Sequence, residues 1–228
     1  VLLETGVPNI ADYLTQIPQS QNQATLRVSA IVMNANPFTK GHRYLVEQAA
    51  QASDLVYVFV VKQDVSLFKT AERLQLVQAG VADLANVKVV SGEDYMVSYA
   101  TFPAYFIPNT ADIVRYQTTM DATLFKQQIA QPLHITTRFL GAEPFSKTTA
   151  LYNQALQQIL PPEVQVKILP RLMTATKVIS ATQVRRAIQQ NKIETIQDFV
   201  PQTPYRLIQK QQSVLQARIA KGMRIDGN

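Results

Sequence analysis

The chain has 228 residues, 46% of them hydrophobic, and a formal net charge of +6. This length suffices for one large core, and the absence of cysteine excludes disulfide scaffolds, thiolate metal sites and cysteine nucleophiles and fits a reducing cytoplasm. No apolar run approaches the roughly 20 residues that span a bilayer, so we expect no membrane partner.

Apolar, β-branched runs alternate with helical patterns from residue 26 onward. Residues 1–25 are polar and contain Pro8 and Pro18, which is typical of a linker or lead-in segment. LRVSAIVM (26–33) and DLVYVFVVK (54–62) are the almost continuous apolar runs expected of strands buried on both faces of a parallel sheet. The residues between them have helical spacing, so this part of the chain predicts a βαβ unit.

The same alternation continues through the rest of the chain. Further helices are predicted at 70–84 and 149–160, and further strands at 86–90, 134–143 and 163–169. Strands alternating with helices predict an α/β fold with a doubly wound parallel sheet, and we assign it to a domain at 26–200. Its residues 92–132 are too long for a plain crossover and predict a helical insertion. Residues 201–228 have apolar residues at roughly helical spacing, which predicts a C-terminal helical tail packed as one terminal helix.

The stretch NANPFTKGH (34–42) follows the first strand, at the edge where open α/β sheets bind ligands. If Thr39 caps the next helix, His42 is the third residue of that helix, and both side chains flank its positive end. Backbone N–H groups at such an end bind phosphate, and Gly41 lets a phosphate approach without meeting a Cβ. Taken alone, His42 is better explained as a half-exposed helix residue, and an ordinary N-cap at Thr39 fits either interpretation.

A second strand-to-helix junction, KVISATQVRRAI (177–188), has similar chemistry. Ser180 or Thr182 can cap its helix, and Arg185 lies one turn beyond Thr182. Taken alone, this is the pattern of a capped surface helix. Together, the two junctions predict two anion sites that hold one polyphosphate.

The two junctions, T-x-G-H at Thr39–His42 and I-S-x-T-x-V-R at Ile179–Arg185, resemble the nucleotidyltransferase superfamily with its Rossmann-like fold. More narrowly, IVMNANPFTKGHRYLVEQAA, ATFPAYFI, RFLGAEPF and YNQ are similar to the citrate lyase ligase family, over about residues 26 to 200. Members of that family usually carry an acetyltransferase-like domain upstream. Since the chain begins at Val1, we expect a C-terminal fragment or a shortened form.

This resemblance implies ATP-dependent acetylation of the prosthetic-group thiol of citrate lyase through an acetyl-adenylate, with release of pyrophosphate and AMP. The implied ligands are ATP with Mg²⁺, acetate, and the acyl-carrier subunit of citrate lyase with its phosphopantetheine-type group. Acetate is already a nucleophile at neutral pH, so the reaction needs alignment and charge stabilisation rather than a general base. Because Mg²⁺ would arrive with the nucleotide, we expect no dedicated metal ligands in the protein.

The resemblance also assigns site residues. Thr39 and His42 would bind the triphosphate, with His42 stabilising charge near the α-phosphate. Ser180, Thr182 and Arg185 would hold the β and γ phosphates. Lys62, at the end of the second strand, would contact the acceptor's phosphates or acetate, although a surface lysine explains it equally. The residues expected to line the nucleotide pocket are Met33, Asn34, Asn36, Phe38, Gly41, Gly141, Glu143 and Ile179.

Weaker candidates and rival functions remain at this point. Arg115 and Tyr116 are candidates for the acetate carboxylate, whereas His134 lacks partners at metal-ligand spacing and favours a structural role. A plain adenylyltransferase acting on a phosphorylated vitamin precursor would use the same two junctions. A non-catalytic nucleotide-binding regulator would be expected to lose His42 or Arg185. Lys and Arg are scattered, which disfavours nucleic acid as a partner.

Overall fold

The core of the protein is a parallel β-sheet. A computed structural model describes residues 6–62, 64–96, 110–142, 147–173 and 179–225. Within these residues the sheet has five strands in the order β3-β2-β1-β4-β5, with every neighbouring pair parallel. The strands are β1 (Val28–Met33), β2 (Leu55–Val60), β3 (Val87–Ser91), β4 (Ile135–Gly141) and β5 (Gln165–Leu169). The predicted strands and the doubly wound α/β class are confirmed.

Helices cover both faces of this sheet. They are α1 (Ile10–Gln16), α2 (Lys40–Ala52), α3 (Thr70–Gly80), α4 (Thr110–Leu124), α5 (Lys147–Ile159), α6 (Ala181–Gln189), α7 (Gln202–Lys210) and α8 (Gln212–Ala220). Buried side chains of α2, α3, α6, α7 and α8 form one core with one face, and those of α1 and α5 form another core with the opposite face. None of the helices in the described ranges is long and apolar enough to cross a membrane.

The two cores explain why the strands are so apolar. All six residues of β2 are buried, because helices pack on both of its faces. Successive side chains of a strand point to opposite faces, so Val58 joins the α2 core and Phe59 joins the α1 core. A central parallel strand therefore has no polar face, and this is why its sequence reads as one apolar run.

Both ends of the chain contain more structure than the sequence predicts. In the expected lead-in segment, Asn9 caps α1, and the Tyr13 hydroxyl on that helix donates to the Ser91 carbonyl at 2.8 Å. The single terminal helix expected at the other end is two helices, which are separated at Gln211. The break lets Ile208 and Leu215, one on each helix, both enter the α2 core.

The expected insertion is helical where it is described. A short 3-10 turn follows β3, and α4 continues into a π-helical segment, Phe125–Ala130, whose Phe125 is fully buried. Residues 97–109, which contain the whole ATFPAYFI motif, lie outside the described residues. The division of the chain into a lead-in segment, a domain and a tail stays a prediction.

Candidate active site

The strand order places the candidate site at the middle of the sheet. β1 pairs with β2 on one side and with β4 on the other, so the chain winds outward in opposite directions from this pair. In open parallel sheets the crevice for ligands lies outside the carboxyl ends of such a pair. Here the loop after β1, the end of β4 and the start of α6 lie at that edge.

Thr39 and His42 form a reciprocal cap at the start of α2. The Thr39 hydroxyl oxygen accepts from the His42 backbone N–H at 3.4 Å, and the Thr39 backbone N–H donates to His42 Nδ1 at 3.1 Å. The predicted N-cap and the third-residue position of His42 are therefore confirmed. The cap fixes the imidazole against the helix start rather than leaving it as a free surface side chain.

This cap also sets the protonation of His42. Because Nδ1 accepts the Thr39 N–H, the proton of the neutral ring lies on Nε2, which is left as a donor. Burial, together with the positive charge of Arg171, lowers the pKa of His42 to about 4. The ring stacks on the fully buried Phe38, with 5.8 Å between ring centroids. At neutral pH the site thus presents a neutral, oriented N–H donor.

The first turn of α2 supplies backbone donors as well. Lys40 N–H donates to the Phe199 carbonyl at 2.8 Å, and His42 N–H is used by the cap. Within the described part of the chain, the Gly41 N–H is therefore the first-turn donor that remains for a ligand. A Cβ built on Gly41 would be in ordinary van der Waals contact with the Thr39 hydroxyl at 3.6 Å and with Ile179 at 3.8 Å, so this side of the helix end lies against the start of α6.

Arg73 fixes the loop after β1 through hydrogen bonds. The sequence did not reveal this role. Arg73 is fully buried in α3, and its Nη1 donates to the carbonyls of Asn34 and Val61 at 2.8 and 2.7 Å. Nη1 also donates to Asn34 Oδ1 at 2.9 Å, and Asn34 Nδ2 is a buried donor with no acceptor among the described residues. Burial lowers the pKa of Arg73 to about 10. Arg73 thus fixes the ends of β1 and β2 relative to each other.

Other predicted pocket residues are part of this same support. Met33 is 6% exposed at the end of β1, and Asn36 is 4% exposed. Asn36 Oδ1 accepts from the Phe68 backbone N–H at 3.1 Å. Phe38 lies against Gly80 of α3. These side chains shape the loop, and their contact with a nucleotide stays a prediction.

The start of α6 lies beside the start of α2. Ser180, rather than Thr182, is the N-cap, and its hydroxyl accepts from the Gln183 backbone N–H at 3.3 Å. A Cβ on Gly41 would be 3.8 Å from the carbonyl oxygen of Ile179. The structure therefore brings together the two predicted anion-binding helix ends.

Arg185 is deeper in the protein than its predicted role suggests. It is 1% exposed, its Nη1 donates to the Asn36 carbonyl, and its Nη2 donates to the Thr182 hydroxyl at 3.0 Å. Its Nε donates to the carbonyl of Ile225 in the C-terminal segment at 2.7 Å. Arg185 thus links α6 to the loop after β1, and phosphate binding by Arg185 stays a prediction.

β4 ends at the same edge with Gly141. Asn153 of α5, from the YNQ motif, donates to the Gly141 carbonyl at 3.1 Å. A Cβ built on Gly141 meets no atom of the described residues within 4 Å. Glu143 lies outside the described residues.

Comparison with known proteins decides the family. The family profile described as "Citrate lyase ligase C-terminal domain" matches residues 28–208. The chain belongs to the citrate lyase ligase family. It is 38% identical over 207 residues to the [citrate [pro-3S]-lyase] ligase of Escherichia coli and 40% identical over 190 residues to that of Haemophilus influenzae. These alignments cover 88% and 81% of the chain but 58% and 57% of the two relatives, so the chain spans less than two thirds of their length.

A solved structure supports the fold of this family member. A crystal structure of Thermotoga maritima TmcAL bound with α-thio ATP superposes with a TM-score of 0.53 at 12% sequence identity. The superposition covers 82% of this chain and 56% of that protein. At this identity the likeness supports the Rossmann-like α/β fold alone.

Lys62 was also predicted to lie in the site of this citrate lyase ligase family member. Its side chain is paired with carboxylates. Its Nζ lies 3.1 Å from Glu93 Oε2 and 3.5 Å from Asp94 Oδ1, both just after β3. The hydrogen bond to Glu93 raises the pKa of Lys62, so the side chain is cationic at neutral pH. Its predicted contact with acceptor phosphate or acetate would require exchange of these partners and stays a prediction.

The weaker candidates lie on elements other than α2 and α6. Arg115 and Tyr116 are exposed on α4, and Tyr116 has 51% of its surface accessible to solvent. Tyr116 also interacts with other residues of the protein. His134 has a positive φ of 53° in the turn before β4. Tyr95, just after β3, packs on Tyr13 of α1 with 5.0 Å between the ring centroids.

Within the described ranges, no group of three or more His, Asp or Glu side chains is arranged to hold a metal. Mg²⁺ keeps most of its water and phosphate ligands in nucleotide sites, so it does not need such a group.

Proposed function

We propose that this domain forms acetyl-adenylate from ATP and acetate and then transfers the acetyl group to the prosthetic-group thiol of citrate lyase. Two observations support the proposal. The chain belongs to the citrate lyase ligase family, and two helix starts with oriented donors lie together at the carboxyl edge of β1 and β4. The second observation carries the chemistry, because such an edge can hold a triphosphate in a fixed orientation.

In the first half-reaction an acetate oxygen attacks the α-phosphorus of ATP. The new P–O bond forms as the bond from the α-phosphorus to the bridging oxygen breaks, and pyrophosphate leaves with that oxygen. We infer that His42 Nε2–H and Gly41 N–H donate to the phosphate oxygens on which charge increases. A neutral His42 suits this role, since it needs no proton transfer and its ring is already fixed by Thr39.

The second helix start would bind the leaving part of the nucleotide. We assign the backbone N–H groups at the start of α6, with the hydroxyls of Ser180 and Thr182, to the β and γ phosphates. Arg185 would support this segment by holding the Asn36 carbonyl, and it would reach the phosphates directly only by giving up the Ile225 carbonyl. Mg²⁺, when bound with ATP, supplies further charge neutralisation on the phosphates.

In the second half-reaction the thiol sulfur of the phosphopantetheine-type group attacks the acetyl carbon. The C–O bond to the phosphate breaks, AMP leaves with that oxygen, and the thiol proton goes to solvent. The protein contributes no sulfur, which agrees with a chain that has no cysteine. Acetate, the acyl-carrier subunit of citrate lyase and a cytoplasmic location belong to this proposal, and Lys62 and Glu143 are its candidates for contacts beyond the triphosphate.

Acetate-dependent exchange of labelled pyrophosphate into ATP tests the proposal. The wild-type chain with Mg²⁺ should exchange label when acetate is added, and His42→Ala should slow the exchange by about 10² or more, because one oriented donor is lost. Exchange that needs 4′-phosphopantetheine instead of acetate would show a plain adenylyltransferase. A chain that binds ATP but exchanges with neither substrate would contradict catalysis by this domain alone.

A further inference from the structure

The loop after β5 places one more arginine at the same edge. Arg171 lies two residues beyond the end of β5, and its Nε donates to the carbonyl of Ala142 at 3.2 Å. Ala142 in turn follows β4, and its N–H donates to the Leu169 carbonyl at 2.8 Å. The Arg171 guanidinium is thus held at the carboxyl ends of two adjacent strands rather than extended into solvent.

The same loop continues to the two helix starts. The Leu172 carbonyl accepts from the Ile179 N–H at 3.4 Å, and Ile179 lies beside Gly41. Arg171 therefore belongs to a loop that follows β5 and contacts the end of β4 and the start of α6, which itself lies beside the start of α2. His42, the residue after Gly41, lies close enough for the charge of Arg171 to lower its pKa.

We propose that Arg171 binds the triphosphate of ATP, on the phosphate group that also accepts from His42 Nε2–H. This assignment rests on the proposed function, since it takes ATP as the ligand of this edge. Arginine presents several N–H groups in one plane, and the hydrogen bond from Nε to the Ala142 carbonyl holds that plane at the edge of the sheet where β4 and β5 end. A phosphate between the guanidinium and the imidazole would receive donors from both.

The electrostatics of the site agree with an anionic ligand. A guanidinium that disfavours protonation of a neighbouring imidazole creates a local positive potential. A bound phosphate would reverse that effect on His42, because its negative charge favours the imidazolium. Arg171 was not identified from the sequence because LPRLM (169–173) matches no phosphate-binding pattern, and only the fold brings it near His42.

Binding measurements with three variants test this assignment. Arg171→Gln should weaken binding of ATP and of pyrophosphate about 10- to 100-fold, as loss of a charged hydrogen-bond donor does, while adenosine binding changes less than about twofold. Arg171→Lys should recover part of the ATP affinity, since it restores the charge without the planar fork. The matched control is Arg206→Gln, which removes one exposed arginine from α7 and should bind ATP as the wild type does.

A second readout follows the His42 ring by NMR. The chain has two histidines, so a His134→Gln chain assigns the signals. In ligand-free protein, Arg171→Gln should raise the pKa of His42 and Arg206→Gln should leave it unchanged. Unchanged ATP affinity, equal losses for ATP and adenosine, or an unchanged His42 pKa in Arg171→Gln would each overturn the assignment.

The wild-type chain separates this assignment from the proposed function. ATP binding without acetate-dependent exchange would contradict the function, while the affinities of the Arg171 variants would still decide the role of Arg171. A wild-type chain that binds no ATP would overturn both.

Discussion

Acidification should destabilise the protein through His42. The pKa of His42 is about 4 in the folded chain because burial of part of the ring and the positive charge of Arg171 both lower it, whereas an unfolded histidine titrates near its ordinary value of 6.5. Above pH 6.5 the ring is neutral in both states and has no effect on the pH dependence. As the pH falls below 6.5 the unfolded chain takes up the proton first, so the free energy of unfolding decreases until the folded chain is protonated near pH 4.

The size of this effect follows from the difference between the two pKa values. A difference of about 2.5 units at 1.36 kcal/mol per unit gives a total loss of about 3 kcal/mol. At pH 5 the loss is already about 2 kcal/mol, because the unfolded ring is almost fully protonated and the folded ring is not. This is a large part of the roughly 5–15 kcal/mol that stabilises a typical domain.

Urea unfolding at pH 7.5 and pH 5 measures the loss, with His42→Gln as the key variant. Glutamine at the third helical position can accept the Thr39 N–H as the imidazole does, so the cap is kept and the titration is removed. The difference between the two pH values should therefore shrink by about 2 kcal/mol in His42→Gln relative to wild type. His134→Gln is the matched control and should retain the wild-type difference. Equal pH dependence of wild type and His42→Gln would refute the buried, neutral state of His42.

Three further substitutions test the packing around the site. Gly80→Ala places a Cβ 2.4 Å from the Phe38 ring, so it should lower the urea-derived free energy of unfolding by about 1–3 kcal/mol, and an unchanged value would contradict that packing. The Cβ of Gly141→Ala meets no atom within 4 Å among the residues that the structure describes, so its stability should stay within about 0.5 kcal/mol of wild type while ATP affinity measured by calorimetry falls. Unchanged affinity would remove Gly141 from the pocket. Arg218→Gln breaks the ion pair between α8 and α3, in which Arg218 Nη1 lies 2.6 Å from Glu72 Oε2. This should lower the free energy of unfolding by about 1.5–3 kcal/mol in the same urea assay. A loss no larger than that of an exposed ion pair would show that α8 is held mainly by its apolar side chains.

The sequence was a good guide where structure depends on neighbours along the chain. The apolar run of β2 identified a buried central strand, and the spacing of Thr39 and His42 identified a helix cap, because both features are decided within a few residues. Two such caps in one α/β fold then indicated a shared ligand edge. That inference needed only the rule that parallel strands end at the same side of a sheet.

Long-range partners could not be predicted in this way. Arg185 contacts Ile225 and Lys62 contacts Glu93, and nothing in either motif reveals those partners. Arg73 and Arg171 are single arginines outside any motif, and they reach the site only because the sheet brings β1, β2, β4 and β5 together. Their burial and contacts depend on the fold as a whole. The sequence therefore predicted the two helix starts of the candidate site but not the arginines that surround them.

Oxygen transfer from labelled acetate tests the central claim most directly. If an acetate oxygen attacks the α-phosphorus, turnover of ATP with acetate labelled by ¹⁸O at both oxygens, followed by acetyl transfer to a pantetheine thiol, must leave one labelled oxygen in AMP. Mass spectrometry of the products should therefore show AMP heavier by one ¹⁸O and unlabelled pyrophosphate. AMP without label, or a label that appears in pyrophosphate or phosphate, would contradict acetyl-adenylate formation by this domain.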